Sequence, residues 1–182
     1  RILAPVRRPE RQFSDIPSPS SVLAGWASRW IGDPPEGVPT YLFPSNFPKS
    51  RVLYGLLEAK QTTGPVYVVE GITDVWRIGP GAVALLGNSA SHEQTLLLRH
   101  HFRGCPIVVM LDADAEEAAE KVVTQLVAAR GVDSQERVVR ASLAHDDPGD
   151  SSLQEIHGAA AAALGVAVKE ASPQISEERV DD

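Results

Sequence analysis

The chain has 182 residues, of which 43% are hydrophobic, enough for one core of ordinary size plus a small appendage. Its single cysteine, Cys105, excludes an internal disulfide and any cysteine-rich zinc site, and no apolar run approaches the roughly 20 residues of a membrane-spanning helix. The net charge of −7 argues against a general nucleic-acid-coating protein, but it is unevenly spread: residues 1–60 carry +3 and residues 61–182 carry −10. A basic front joined to an acidic remainder suits a substrate-holding segment followed by a metal-holding domain. Acidic helices and an acidic tail that serve solubility alone give the same count.

In chain order, residues 1–19 hold Pro5, Pro9, Pro17 and Pro19 among scattered charges and read as a linker. The chain opens on Arg with no signal-peptide pattern and is expected to be a piece of a longer protein. Residues 20–31, around Trp26 and Trp30, read as a short strand or irregular β structure, which Pro34, Pro35 and Pro39 end. Residues 41–48 read as loop. Val52, Leu53, Leu56, Leu57 and Ala59 have helical spacing, so a helix is expected over 52–60. Gly64-Pro65 breaks it before the first buried strand, 66–69.

A short helix follows over 74–78, stopped by Gly79-Pro80-Gly81, then a strand over 82–86. Ser91 with Gln94 makes a capping-box pattern ahead of a helix to about Phe102. The run 106–111 is a third strand. Asp114 is placed to cap a helix over 115–130, which Gly131 ends. A strand over 137–141 and a helix from Ser151 onward complete the pattern, with residues 170–182 expected as a disordered acidic tail. This β-α alternation predicts an α/β fold, a parallel sheet with helices on both faces.

Two of those strands end in acid. Val66-Tyr67-Val68-Val69 runs into Glu70-Gly71-Ile72-Thr73-Asp74, and Ile107-Val108-Val109-Met110-Leu111 runs into Asp112-Ala113-Asp114. The C-terminal edge of a parallel sheet is where ligands bind. Carboxylates converging there repel one another unless a cation lies between them, and oxygen-only ligands suit Mg²⁺ or Mn²⁺. Alternation along the strand is expected to point Asp112 and Asp114 the same way. Each acid also has a plain structural role open to it: Glu70 or Asp114 as a helix cap, Asp74 as a charge favoured by a helix dipole, Asp150 as the cap of the last helix. The five histidines lack zinc-ligand spacing.

These motifs, taken together, resemble the Toprim domain, and their surroundings resemble the DnaG-type DNA primases. The likeness is carried by Glu70-Gly71-x-x-Asp74, by Asp112-x-Asp114, and by Lys49-Ser50-Arg51-Val52-Leu53-Tyr54-Gly55-Leu56 upstream. It continues through Gly25-Trp26-Ala27-Ser28-Arg29, Pro39-Thr40-Tyr41-Leu42, the stretch 85–94 around Asn88, and Asp147-Pro148-Gly149-Asp150. It covers roughly residues 20–157. It implies a small α+β primase segment over 20–60 and a Toprim domain over 61–168.

The resemblance further implies an RNA-polymerising core that joins ribonucleoside triphosphates on a single-stranded DNA template. Glu70, Asp112 and Asp114 would be its catalytic carboxylates, and Glu70, Asp74, Asp112, Asp114, Asp147 and Asp150 its Mg²⁺ (or Mn²⁺) ligands. Arg29, Lys49, Arg51, Gly71 and Asn88 would meet nucleic acid or nucleotide. Zinc would belong to a template-binding module outside this chain, and a replicative helicase would bind through another such region. A cytoplasmic location and no membrane contact follow from the same likeness. Two features depart from the family pattern: Glu116-Glu117 stands where a glycine is common, and Asp147 and Asp150 are spaced more widely than usual. The alternatives are a Toprim nuclease or topoisomerase-like enzyme, or a non-catalytic nucleic-acid-binding module of a mobile-element replication protein. For the former, Tyr41, Tyr54 and Tyr67 lie upstream of the acidic motifs in no recognisable nucleophile context.

Overall fold

The computed structural model describes residues 1–13, 21–131, 137–143 and 147–166. The expected tail over 170–182, and residues 14–19 of the expected linker, lie outside the described residues. The main sheet has four parallel strands in the order β5-β4-β6-β7, formed by Val66–Val69 (β4), Ala82–Ala84 (β5), Ile107–Val109 (β6) and Val138–Arg140 (β7). The strands β4, β5 and β6 consist of buried valine, isoleucine, alanine and one tyrosine because both faces are covered. Val66 and Val68 face one core layer with Val83, Leu85, Ile107 and Val109. Tyr67 and Val69 face the other with Ala82, Ala84, Val108 and Met110. The predicted α/β class and parallel sheet are therefore present.

The first layer is closed by the helices His92–His101 (α3) and Glu116–Arg130 (α4), through Leu97, Leu98, Val122 and Leu126. The second is closed by Ile72–Ile78 (α2) and Leu153–Leu164 (α5), through Ile72, Val75, Ile156, Ala160 and Leu164. The capping box read at Ser91 is formed: the Ser91 hydroxyl accepts from the Gln94 N–H at 3.1 Å, and Gln94 Oε1 accepts from the Ser91 N–H at 2.9 Å. A second box, Ser152 with Glu155, starts α5.

The front of the chain departs from the linker expectation. Ile2–Pro9 (β1) pairs antiparallel with Ser21–Arg29 (β2), which pairs with the two-residue Tyr41–Leu42 (β3). The two prolines of β1 are tolerated because it is an edge strand with one side free of ladder bonds. Its Ala4 and Val6, with Ala27 of β2, join the second core layer. The expected 52–60 helix shrinks to Leu56–Ala59 (α1). Val52 and Leu53 are buried in extended chain, and Tyr54 makes a two-bond antiparallel bridge with Ala84, covering the free edge of β5. Gly55 forces the turn: its φ is +82°, and a Cβ there would stand 2.6 Å from the Ala82 carbonyl oxygen.

Candidate active site

The acidic residues collect where β4 and β6 stop. Glu70 directly follows β4 and is half-buried. Gly71 then caps α2, and its N–H donates to Asp74 Oδ2 at 2.7 Å. Asp74 is 3% exposed, so this bond serves as both its anchor and its solvation. Its other oxygen lies 3.3 Å from the position a Cβ would take on Gly149. The turn 147–150 therefore abuts Asp74. Arg77 of α2 holds it there by donating from Nε to the Gly149 carbonyl at 2.8 Å. Within the turn, the Gly149 N–H donates to Asp147 Oδ1, which fixes that carboxylate.

β6 stops at Val109, and the chain continues through buried Met110 and Leu111 to Asp112. Asp112 is half-buried, with its Oδ1 shielded from solvent and without a hydrogen-bond partner. Asp114 follows in a 3₁₀ turn, Ala113–Ala115, and is exposed. Two expectations are corrected here. The pair does not share a strand face, because both residues lie beyond the strand and the turn replaces the period-two alternation. Asp114 does not cap α4; Ala115 occupies the cap position and makes no side-chain cap bond.

The carboxylates sense one another. Burial pushes the Glu70 carboxyl up, Asp114 and Asp147 push it further, and Lys49 opposes them. Burial raises Asp74 to about 7; the Gly71 N–H works against this, while Asp147, Asp112 and Glu70 add to it. Asp112 is raised to about 6, first by burial and then by Glu70, Asp147 and Asp114. Glu70, Asp74, Asp112, Asp114 and Asp147 thus form one electrostatic cluster. Asp150 is exposed at the end of its turn, and Ser152, not Asp150, caps α5.

The donor set is oxygen-only, it is repulsive as it stands, and it includes the orphaned Asp112 oxygen, a combination that fits a hard divalent cation. Among the described residues no three His, Cys, Asp or Glu side chains form a ready cage for a metal ion.

Lys49 stands at this rim and faces Glu70. It lines a cleft of about 200 Å³ with Tyr41, Phe43, Glu70, Gly71, Ile72, Leu86 and Gly87. Its Nζ lies 3.2 Å from the position a Cβ would take on Gly87. Asn88 is exposed and shares a second, shallower cleft with Lys49. Arg29 lies outside the cleft wall, 5.9 Å over the ring of Tyr41. Arg51 is turned away and pairs with Glu93 at 2.8 Å.

Three residues have supporting roles at the site that the sequence did not announce. Tyr41 lines the cleft and its hydroxyl lies 3.4 Å from Thr73 Oγ1. The buried Gln94 amide donates to the carbonyls of Lys49, Val52 and Leu85, tying the Lys49 loop to the sheet. Arg140, at the end of β7, pairs with Glu116 at 2.6 Å and Glu120 at 3.3 Å. Together with Lys121, which pairs with Glu117 at 2.8 Å, it neutralises the acidic pair that breaks the family pattern.

No family model and no curated protein matches this chain. Solved structures do. The Aquifex aeolicus primase zinc-binding and RNA polymerase domains match with a TM-score of 0.63 and 22% identity, over 82% of this chain and 36% of that one. A DnaG primase catalytic domain bound to ssDNA matches with a TM-score of 0.62 and 25% identity, over 90% of this chain and 50% of that one. The E. coli primase catalytic core matches with a TM-score of 0.55 and 26% identity, over 74% of this chain and 46% of that one. The chain spans about a third to a half of the length of these structures. The antiparallel front sheet, the four-stranded Toprim-like sheet and the acidic rim on it together have the fold of a DnaG-type primase catalytic core.

Proposed function

We propose that this chain is the nucleotidyl-transfer core of a DNA primase, joining ribonucleoside triphosphates on a single-stranded DNA template. The observation that supports it most is the joining of Lys49 and Glu70 in one cleft, at the edge of a carboxylate cluster that a hard cation would relieve, on a primase-core fold. Divalent cations, Mg²⁺ or Mn²⁺, would be held by Glu70, Asp112, Asp114 and Asp147 with Asp74 behind them. When bound they would neutralise the triphosphate and lower the pKa of the attacking 3′-hydroxyl.

The chain's own residues divide the remaining work. Lys49 supplies a positive charge where phosphate must pass an acidic rim. Asp74 is the least solvent-accessible of the acids; bonded to Gly71 and abutting the 147–150 turn, it positions Glu70 relative to Asp147. Glu70, its carboxyl pushed up by burial and by Asp114 and Asp147, holds a proton more readily than an ordinary carboxylate and would release it when positive charge arrives. Base pairing with the template selects the nucleotide, so the core needs no base-specific pocket. A zinc-bearing template module and a helicase-binding region would act from outside this chain.

The test is template-dependent incorporation of ribonucleotides on single-stranded DNA, with the chain joined to a zinc-binding template module. RNA synthesis that requires both template and Mg²⁺ or Mn²⁺ supports the reading. Metal-dependent cleavage of the DNA without synthesis would favour a Toprim nuclease. Binding with neither reaction would favour a non-catalytic module.

A further inference from the structure

Gly149 is gripped by one face of α2. Asp74 and Arg77 stand three residues apart on that helix and therefore share a face. Asp74 Oδ1 lies 3.3 Å from the position a Cβ would take on Gly149, and Arg77 Nε donates to the Gly149 carbonyl at 2.8 Å. The Gly149 N–H in turn donates to Asp147 Oδ1. One residue thus joins a helix to a carboxylate of the acidic cluster. Only glycine fits there, because a Cβ would also stand 2.6 Å from Asp147 Oδ1. The carboxylate so placed acts on Glu70, Asp74 and Asp112 together.

The fold has other means of holding this part of the chain. The Ser151 hydroxyl donates to the Asp147 carbonyl at 3.2 Å, the Ser151 N–H donates to the Pro148 carbonyl at 3.3 Å, and Ser151 is buried. Behind it α5 is docked through Ile156, Ala160 and Leu164. Arg77 is exposed, in the last turn of α2. A single exposed hydrogen bond adds little to the stability of elements packed in this way. What it does set is the seat of Gly149 on Asp74, and through the Gly149 N–H the place of the Asp147 carboxylate.

We propose that Arg77 is a positioning residue for divalent-cation binding: it latches the turn 147–150 onto Asp74, so that Asp147 completes the cation site with Glu70 and Asp112. The proposal rests on the reading above for the cation itself. Residues that hold a metal's ligands, without touching the metal, set its affinity by fixing where those ligands stand. Charge and position here make opposite predictions. Arg77 is itself a cation, so removing it tightens cation binding if charge alone matters. If its bond to Gly149 matters, removing it loosens binding.

The test is Mn²⁺ binding to the whole chain, followed by EPR of the free ion, with no nucleotide or template present. Arg77→Met keeps an extended apolar stem and removes the donor; Arg77→Lys keeps the charge and can still donate. The expected result for Arg77→Met is a loss of about tenfold in Mn²⁺ affinity, the lower end for a partner of a metal ligand, with an unchanged melting temperature of the metal-free protein. Arg77→Lys should lose less. Gly149→Ala should lose at least as much as Arg77→Met, because its Cβ displaces Asp147 Oδ1. In an Asp147→Asn background Arg77→Met should add nothing, since both act through one carboxylate. Unchanged or tighter binding in Arg77→Met, a further loss of the same size on top of Asp147→Asn, or a wild type that binds no Mn²⁺ would each overturn the proposal. So would a loss that appears only with a fall in melting temperature. Should Gly149→Ala fail to fold, the two Arg77 variants still decide. Weakened Mn²⁺ binding in Arg77→Met beside a wild type that makes no RNA would leave the latch standing and the polymerase reading fallen. Wild-type affinity in Arg77→Met beside intact synthesis would do the reverse.

Discussion

Asp74 and Asp112 set how this protein responds to pH. Both carboxyls titrate well above the ordinary carboxylate range in the folded chain, at about 7 and about 6. A group whose folded pKa is raised contributes stability that is complete below the unfolded pKa of about 4 and is lost as pH rises through the folded value. The metal-free protein is therefore expected to melt at lower temperature as pH rises from about 5 to about 8, with Mg²⁺ or Mn²⁺ restoring the loss at the upper end. Asp112→Asn should recover on the order of 1 kcal/mol at the higher pH without metal, after discounting for solvent screening, and should blunt the metal response. A melting temperature that is flat over this range would show that the acids are less crowded than their positions imply. Asp112 was legible in the sequence because a carboxylate directly after an apolar run is a local pattern, and Asp74 because it completes Glu70-Gly71-x-x-Asp74. Their geometry was not: where β6 stops, and the 3₁₀ turn at Ala113, depend on the packing of α4 and not on the order Asp-Ala-Asp.

At the level of elements, the helices α3 and α4 and the central strands were legible from caps and apolar runs, since both are local signals. The segment 52–60 was misread because Val52, Leu53, Leu56 and Leu57 satisfy helical spacing while being buried for a different reason. Val52 and Leu53 lie in extended chain that leads to the Tyr54 bridge along β5, and only Leu56 onward is helical. The signal was Gly55, whose left-handed turn separates the two. Gly55→Ala forces both that φ and a contact with the Ala82 carbonyl, and is expected to cost roughly 2 kcal/mol or more in denaturant unfolding. A cost under about 0.5 kcal/mol, the range of an ordinary surface change, would mean that the bridge to β5 is dispensable. β1 was missed for a related reason. Its prolines and arginines are poor strand signals, and its partner β2 lies across residues 10–20, so only the pairing itself reveals it.

Over the whole molecule, the division of charge seen in the sequence is only partly a division of function. Of the front segment's cations, Lys49 reaches the acidic rim, and Arg29 stands one ring away over Tyr41. Arg1 lies on Trp30, and Arg51 is engaged with Glu93. Single-stranded DNA should therefore bind weakly and with salt dependence through the first two. Lys49→Ala should reduce the slope of log affinity against log salt by about 0.7, one phosphate contact on a single strand, and Arg29→Ala by less. Equal slopes in the wild type and the double variant would place the DNA track elsewhere. The parallel order of the sheet followed from the βα alternation, whereas the turn 147–150 closing onto Asp74 through Arg77 is a long-range contact that no local pattern announces.

The central claim, that the carboxylate rim performs nucleotidyl transfer, is tested most directly by Glu70→Gln in template-dependent RNA synthesis with Mg²⁺ or Mn²⁺. The substitution keeps the shape of a half-buried side chain and removes its charge and its proton. The expected result is a fall in synthesis of at least about a hundredfold, the lower end for a positioned acid–base group, with a melting temperature no lower than that of the wild type and unchanged single-stranded DNA binding. Full synthesis by Glu70→Gln under the same conditions would contradict the account.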